Sequence, residues 1–345
     1  MTLPGNLRSL GNARVQRYRR RLAAPGSAVP AGLRDHRTSA GLENSLPAAN
    51  RTGPGGGVAF VFAGGGSLCA PQVGMLRALS EAGLVPDLVV GASAGAVNAV
   101  AFASDPGPAG TERLASVWLS LRRRQVAPLS PRTLLAAAAG RGDGLVPGSA
   151  LQGLLAGVAV AATLAGTSIP AHVVATDLAS GEAVILSDGE TVPALLASCA
   201  FPGLYAPVQV GERLLIDGGV SADVPVLQAE NLGATVTYVL PAAGFDPGQS
   251  LPRGPMPLAF RALGQILGAV ARGDVAAARG PVHVLPAPGS RAVSPVDFRD
   301  TPRLIEEGYR LAAGWLASQQ SRLGTAAQPP GSSPGQPAGQ FAAAR

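Results

Sequence analysis

Residues 58–79, VAFVFAGGGSLCAPQVGMLRAL, place three consecutive glycines between a five-residue apolar run and a segment with Val73, Leu76 and Leu79 at helical spacing. A continuous apolar run of that length reads as a strand buried on both faces, and the helical spacing after the glycines reads as an amphipathic helix over Gln72–Ala82. The same grammar recurs at once: Leu88–Val90 is a second strand, and GASAG at 91–95 leads into the small-residue helix AVNAVAF. Two strand–glycine–helix units in succession demand a parallel sheet with crossover helices, because parallel neighbours cannot be joined by tight turns.

The rest of the chain continues the alternation. Ala171–Ala175, Ala183–Leu186, Arg213–Ile216, Thr235–Leu240 and Val282–Leu285 read as strands, and helices fall between several of them. A last helix is expected to start with Thr301 as N-cap and Pro302 at its first position, with Leu304, Ile305, Leu311, Ala312, Trp315 and Leu316 on its apolar face. The expectation is an α/β domain with a largely parallel central sheet, spanning 56–320. Residues 1–55, rich in Arg, Pro, Gly and Ala, and residues 321–345, rich in Pro, Gly, Gln and Ala, read as disordered tails.

Charge is unevenly placed. Of 27 basic and 21 acidic residues, nine arginines against Asp35 and Glu43 fall in 1–55, so the +6 net charge belongs to the tail and the folded part has no basic surplus for nucleic acid. Paired arginines at 19–21 resemble a twin-arginine signal, yet Pro25 and Pro30 interrupt the stretch after them and no apolar h-region forms, so a cytoplasmic location is expected. Residues 153–171 lack charge over a membrane-spanning length, but Gly, Ala and Thr dominate them, and they read as a buried helix leading into a strand. Cys69 and Cys199 make no CxxC pair, and no dense group of His, Asp, Glu and Cys suggests a metal. No cofactor is expected.

Ligands of such sheets bind beyond the carboxyl ends of the strands, where both glycine clusters lie. Gly64, Gly65 and Gly66 turn backbone N–H groups outward beside a helix N-terminus, an anion trap suited to a phosphate or to a transient oxyanion. The GxxxxGK[ST] pattern of a nucleotide loop is absent. The second cluster, Gly91-Ala92-Ser93-Ala94-Gly95, is a GxSxG. Composition alone supplies about 0.4 such matches in a chain like this, so its placement between strand and helix must carry the weight. There it has the form of a nucleophile elbow, with Gly91 and Gly95 letting the backbone approach a strained turn that lifts the Ser93 hydroxyl.

A serine nucleophile needs a base. His36 lies in the tail, and His172 and His283 sit inside apolar strand patterns that suit structural roles. Asp217 ends a strand and precedes Gly218 and Gly219, displaying a carboxylate on a tight turn where it can accept a serine proton directly. Asp223 reads as a helix N-cap before Val224 and Pro225, Asp177 as a strand-end carboxylate holding turn amides, and Arg122–Arg124 as cations at a helix C-terminus that also suit lipid phosphates.

In order along the chain, the GGG loop at 64–66, GASAG at 91–95, ATDLASGE at 175–182 with ASCAFPGLYAPV at 197–208, and IDGGVSADVPV at 216–226 resemble the patatin-like phospholipase family, over nearly the whole domain. The resemblance implies a three-layer α/β/α fold and a Ser-Asp dyad, with Ser93 as nucleophile, Asp217 as base and Gly64, Gly65 and Gly66 as the oxyanion hole. It also implies a lipid or other acyl-ester substrate, and leaves peripheral membrane contact open. Where the family commonly continues the loop with a basic residue and a glycine, this chain has Leu68 and Cys69. If position 69 needs a positive φ, a side chain there strains the loop by about 1–2 kcal/mol. Two other readings stand beside the dyad: an α/β-hydrolase triad of Ser93, Asp217 and His283, and a decayed patatin-like module that binds a lipid or partner.

Overall fold

The computed structural model describes residues 57–128, 144–245, 254–290 and 294–326; the tail expectations for 1–55 and 327–345 lie outside them. The strands are β1 Gly57–Phe62, β2 Leu88–Ala92, β3 Ala171–Asp177, β4 Ala183–Leu186, β5 Val208–Val210, β6 Arg213–Asp217, β7 Ala234–Leu240, β8 Gly244–Phe245, β9 Val282–Val284 and β10 Gly289–Ser290. The helices are α1 Pro71–Glu81, α2 Ala94–Ser104, α3 Pro108–Ser120, α4 Arg123–Val126, α5 Gly148–Val158, α6 Thr191–Ser198, α7 Gly219–Ala222, α8 Val226–Asn231, α9 Pro255–Ala277 and α10 Thr301–Ala326.

The main sheet runs β5-β6-β3-β2-β1-β7-β9, with β4 also pairing β3. Its centre, β3-β2-β1-β7-β9, is parallel, whereas β6 is antiparallel to β3 and β5 antiparallel to β6. Successive β1 side chains supply opposite layers, as the period of two requires. Phe60 and Phe62 pack with Val73, Leu76 and Leu79 of α1, Phe102 of α2, Trp118 of α3 and Ile305 of α10. Ala59 and Val61 pack with Val226 and Ala229 of α8 and Ala271 of α9. The fold is therefore the expected three-layer α/β/α arrangement, and burying each large apolar side chain in it contributes about 1.5–3 kcal/mol.

Three local expectations are corrected. The uncharged stretch 153–171 is not one buried helix: α5 stops at Val158 and buries only Leu151 and Leu155, while Val160 is 64% exposed. Beyond Val158 the chain reads Ala159-Val160-Ala161-Ala162, whose small side chains offer little apolar area to hold a longer helix against the core. Thr301 begins α10, but its hydroxyl has no partner, and the chain is turned instead by the Asp300 carbonyl accepting the Leu304 N–H at 3.0 Å. The helix then continues to Ala326, six residues past the expected end of the domain.

No described helix is long and apolar enough to cross a membrane. Arg122 does close α3, its guanidinium donating to the carbonyls of Leu119, Ser120 and Leu121.

Candidate active site

Strand register alone brings the two glycine clusters and Asp217 to one place. Phe62 pairs Gly91, so the glycines after β1 lie beside the turn after β2; Ala92 pairs Val174 while Ala175 pairs Asp217, so the turn after β2 and the end of β6 meet across β3.

Ser93 occupies that turn with φ 54° and ψ −131°, the one positive φ outside glycine among the described residues. Such backbone costs about 1–3 kcal/mol and persists only where surroundings enforce it. The Ser93 N–H donates to Ser198 Oγ at 2.8 Å, and that hydroxyl donates to Val174 O at 2.6 Å. On the other side the Ser93 carbonyl accepts the Ala96 N–H at 2.9 Å, starting α2. The flanking glycines are required by space. A β-carbon on Gly95 would stand 2.3 Å from Ala63 O, and one on Gly91 would stand 2.6 Å from the Ala96 α-carbon.

The Ser93 hydroxyl donates to Asp217 Oδ2 at 2.6 Å, and the Gly219 N–H donates to Asp217 Oδ1 at 2.8 Å. Asp217 is 3% exposed. Burial raises its carboxyl from the ordinary 3.8 to about 7, against the opposing pull of the Ser93 and Gly219 bonds, with the Asp223 carboxyl adding to the rise. Gly218 admits this approach: a β-carbon there would lie 2.0 Å from Val174 O.

Gly65 and Gly66 have φ 143° and 59° and are half-buried, and their N–H groups have no hydrogen-bond partner among the described residues. Gly64 differs. Its N–H donates to the Asp223 carbonyl at 2.9 Å, so of the three amides expected to face an anion, that of Gly64 is already engaged within the fold. The loop is held from outside, because Ser67 N donates to Pro295 O at 2.6 Å and Ser67 Oγ to Ser294 O at 3.3 Å.

Cys69 does not strain it. The residue lies in the turn Gly66–Cys69 without a positive φ, fully buried, and its thiol donates to Ala63 O at 3.3 Å. Burial pushes the thiol well above the usual range, with Asp223, Cys199 and Asp217 adding to the rise, so it is a packed neutral group.

Beneath the loop lies a polar chain with no counterpart in the sequence reading. Gln72 Nε2 donates to Ala63 O at 2.8 Å and Leu240 O at 2.9 Å, tying the ends of β1 and β7. Asn98 Nδ2 donates to Gln72 Oε1 at 2.8 Å and Cys69 O at 3.2 Å, and Trp118 Nε1 donates to Asn98 Oδ1 at 2.7 Å. All three side chains are buried, with each polar group satisfied, the condition under which such a network rigidifies. The available signal was a glutamine on the same helix as Val73, Leu76 and Leu79, at a position that proves fully buried.

His283 is nowhere near. It lies on β9, with β3, β2, β1 and β7 between it and the strand bearing Asp217, and its ring stacks on Tyr238 at 4.9 Å. At about 4.8 Å per strand the gap is on the order of 24 Å. The triad reading is thereby overturned. His172 meets Ser187 Oγ through Nδ1 at 2.8 Å. Asp177 accepts from the amides of Ala179 and Ser180 at 2.8 and 3.3 Å, as expected. Asp223 is not an N-cap: it ends α7, while α8 begins after Pro225 with no side-chain cap.

A strained serine bonded to a buried carboxylate, beside two amides with no hydrogen-bond partner among the described residues, is an arrangement suited to acyl transfer. Comparison with family models matches residues 60–230 to the family described as patatin-like phospholipase. That stretch belongs to the patatin-like phospholipase family.

Among curated relatives, an uncharacterized NTE family protein of Mycobacterium tuberculosis is 31% identical over 207 residues, covering 55% of this chain and 32% of the relative. A second from the same species is 29% identical over 191 residues, covering 55% and 50%. The mouse patatin-like phospholipase domain-containing protein 7 is 24% identical over 194 residues, covering 56% of this chain and 14% of that protein. The match thus spans half or less of each relative. The patatin-like stretch contains Gly64–Gly66, Ser93 and Asp217 and ends within α8. Among the described residues no group of His, Cys, Asp and Glu could hold a metal ion.

Proposed function

We propose that the chain is a serine acyl hydrolase acting on lipid esters, of phospholipase A or lysophospholipase type, with Ser93 and Asp217 as a dyad. The observation that carries the reading is the 2.6 Å bond from Ser93 Oγ to Asp217 Oδ2 on a strained elbow. Asp217 takes the hydroxyl proton as Ser93 attacks the ester carbonyl, and the raised proton affinity of the buried carboxyl, at about 7, suits a base working near neutrality. The N–H groups of Gly65 and Gly66 and the N-terminus of α2 stabilise the oxyanion. The proton passes from Asp217 to the leaving alkoxide, and water drawn to the same carboxylate hydrolyses the acyl-serine. Family membership supports the lipid acyl ester as substrate class. The same reading includes a cytoplasmic location with contact at the face of a membrane, and the dyad works without a cofactor or a metal. Because Cys69 packs without strain, the decayed-module reading loses its support.

The test is labelling with a fluorophosphonate, followed by mapping of the adduct by mass spectrometry. Adduct on Ser93, absent from a folded Ser93→Ala variant, is the expected result; a folded wild-type chain that takes up no probe, or takes it elsewhere, refutes the assignment.

A further inference from the structure

Asp223 has a place at the site that the dyad mechanism does not use. Its carbonyl accepts the Gly64 N–H, and its carboxyl Oδ1 faces the glycine loop, 2.6 Å from where a β-carbon of Gly64 would be. That same β-carbon position is 3.4 Å from Ser93 Cβ. A β-carbon on Gly219 would stand 3.1 Å from Asp217 Oδ1 and 3.1 Å from Asp223 Oδ1, so two carboxyl groups flank one bare glycine. Neither has an ion-pair partner among the described residues: the salt bridges lie elsewhere. The other titratable groups facing the pair are the thiols of Cys69, on the glycine turn, and Cys199, after α6, both held neutral by burial. Helix α9, packed on α7, carries Arg261, Arg272 and Asp274, and among the described residues no salt bridge joins any of them to the two carboxyls.

We propose that Asp223 is a positioning residue for Asp217: the two carboxyl groups titrate as a pair, and the charge on Asp223 sets the pH at which Asp217 becomes the base for Ser93. Like charges in one low-dielectric site oppose each other's ionisation, so a charged Asp223 makes Asp217 hold its proton more tightly and so makes it the stronger base. Burial raises both carboxyls above the ordinary 3.8, and the Asp223 carboxyl adds to the rise at Asp217. The role rests on the dyad proposed above.

The experiment measures the second-order rate of fluorophosphonate labelling of Ser93 against pH. In Asp223→Asn, which keeps shape and removes charge, the acid limb is expected to move to lower pH by about one unit. Labelling on that limb, relative to each protein's own plateau, is then up to about tenfold faster than in wild type. Asp188→Asn, an exposed charge change, leaves the limb in place. An unmoved limb in a folded Asp223→Asn overturns the proposal, as does a folded variant that is unreactive at every pH. Asp223→Ser carries the same test should the asparagine variant not fold; if neither folds, Asp223 is structural and the proposal fails. A wild-type chain unlabelled at every pH instead removes the dyad and this inference together, which separates the two failures.

Discussion

Replacing Ser198 by alanine tests whether the strained elbow is held by one hydroxyl. Ser198 Oγ accepts the Ser93 N–H at 2.8 Å and donates to Val174 O at 2.6 Å, and its residue is fully buried. Alanine leaves the Ser93 amide without a partner, a cost of about 1–3 kcal/mol, and weakens the environment of the Val174 carbonyl by about 1 kcal/mol more. The expected loss is about 2–4 kcal/mol, read as about 2–4 °C in Tm for each kcal/mol in a domain of this size. The elbow is affected beyond stability. Its backbone holds about 1–3 kcal/mol of strain, and once the tether is gone the turn can relax, withdrawing Ser93 Oγ from Asp217. If about 1.4–2.8 kcal/mol of that strain is released, fluorophosphonate labelling slows by about ten- to a hundredfold. Labelling rates and thermal unfolding measured together on Ser198→Ala and Ser198→Thr decide the matter. Threonine keeps the hydroxyl and restores most of the rate. An alanine variant that loses stability yet labels within about twofold of wild type refutes the reasoning, because the hydroxyl would then be ordinary packing.

Asp217→Asn removes the base and is expected to slow labelling by about 10²–10⁴-fold, while its stability moves in a direction fixed by the raised carboxyl. In the wild type the folded carboxyl, at about 7, lies above its ordinary 3.8, so the folded state holds the proton more tightly. The stability from this group is full below about 4 and is lost as pH rises to about 7, so the wild type weakens relative to Asp217→Asn across that window; urea midpoints that run the other way contradict it. His283→Ala is expected to keep full labelling and to lose about 1 kcal/mol for its stack on Tyr238, measured by the same midpoints; loss of labelling revives the triad.

How much of this was legible depends on which residues carry their meaning locally. VAFVF, the glycine runs and the GxSxG announce themselves because a buried parallel strand and a tight strand-to-helix turn each restrict composition at consecutive positions. Asp217 was legible for the same reason, as a carboxylate ending a strand before two glycines. Register then did what no local pattern states. Pairing of Ala92 with Val174 and of Ala175 with Asp217 sets the distance between Ser93 and Asp217, so β3, whose His172 and Asp177 take no part in that contact, joins the two halves of the candidate site. The residues that were missed act through backbone atoms distant in the chain: Ser198 reaches Ser93 across 105 positions and Gln72 reaches Leu240 across 168. Their side chains recognise amides and carbonyls that every residue has, so nothing at either end marks the pair. Asp223 was misread for a related reason. An aspartate before Val-Pro matches the local pattern of a helix cap, and only the fold reveals that its carboxyl lies instead against Gly64 and Gly219, where the absence of two β-carbons makes room for it. Glycine thus carries two kinds of information here: at Gly65 and Gly66 it permits a backbone conformation, and at Gly95, Gly218 and Gly219 it vacates space that another part of the site fills. The first kind can be inferred from a cluster, the second only from what has moved into the gap.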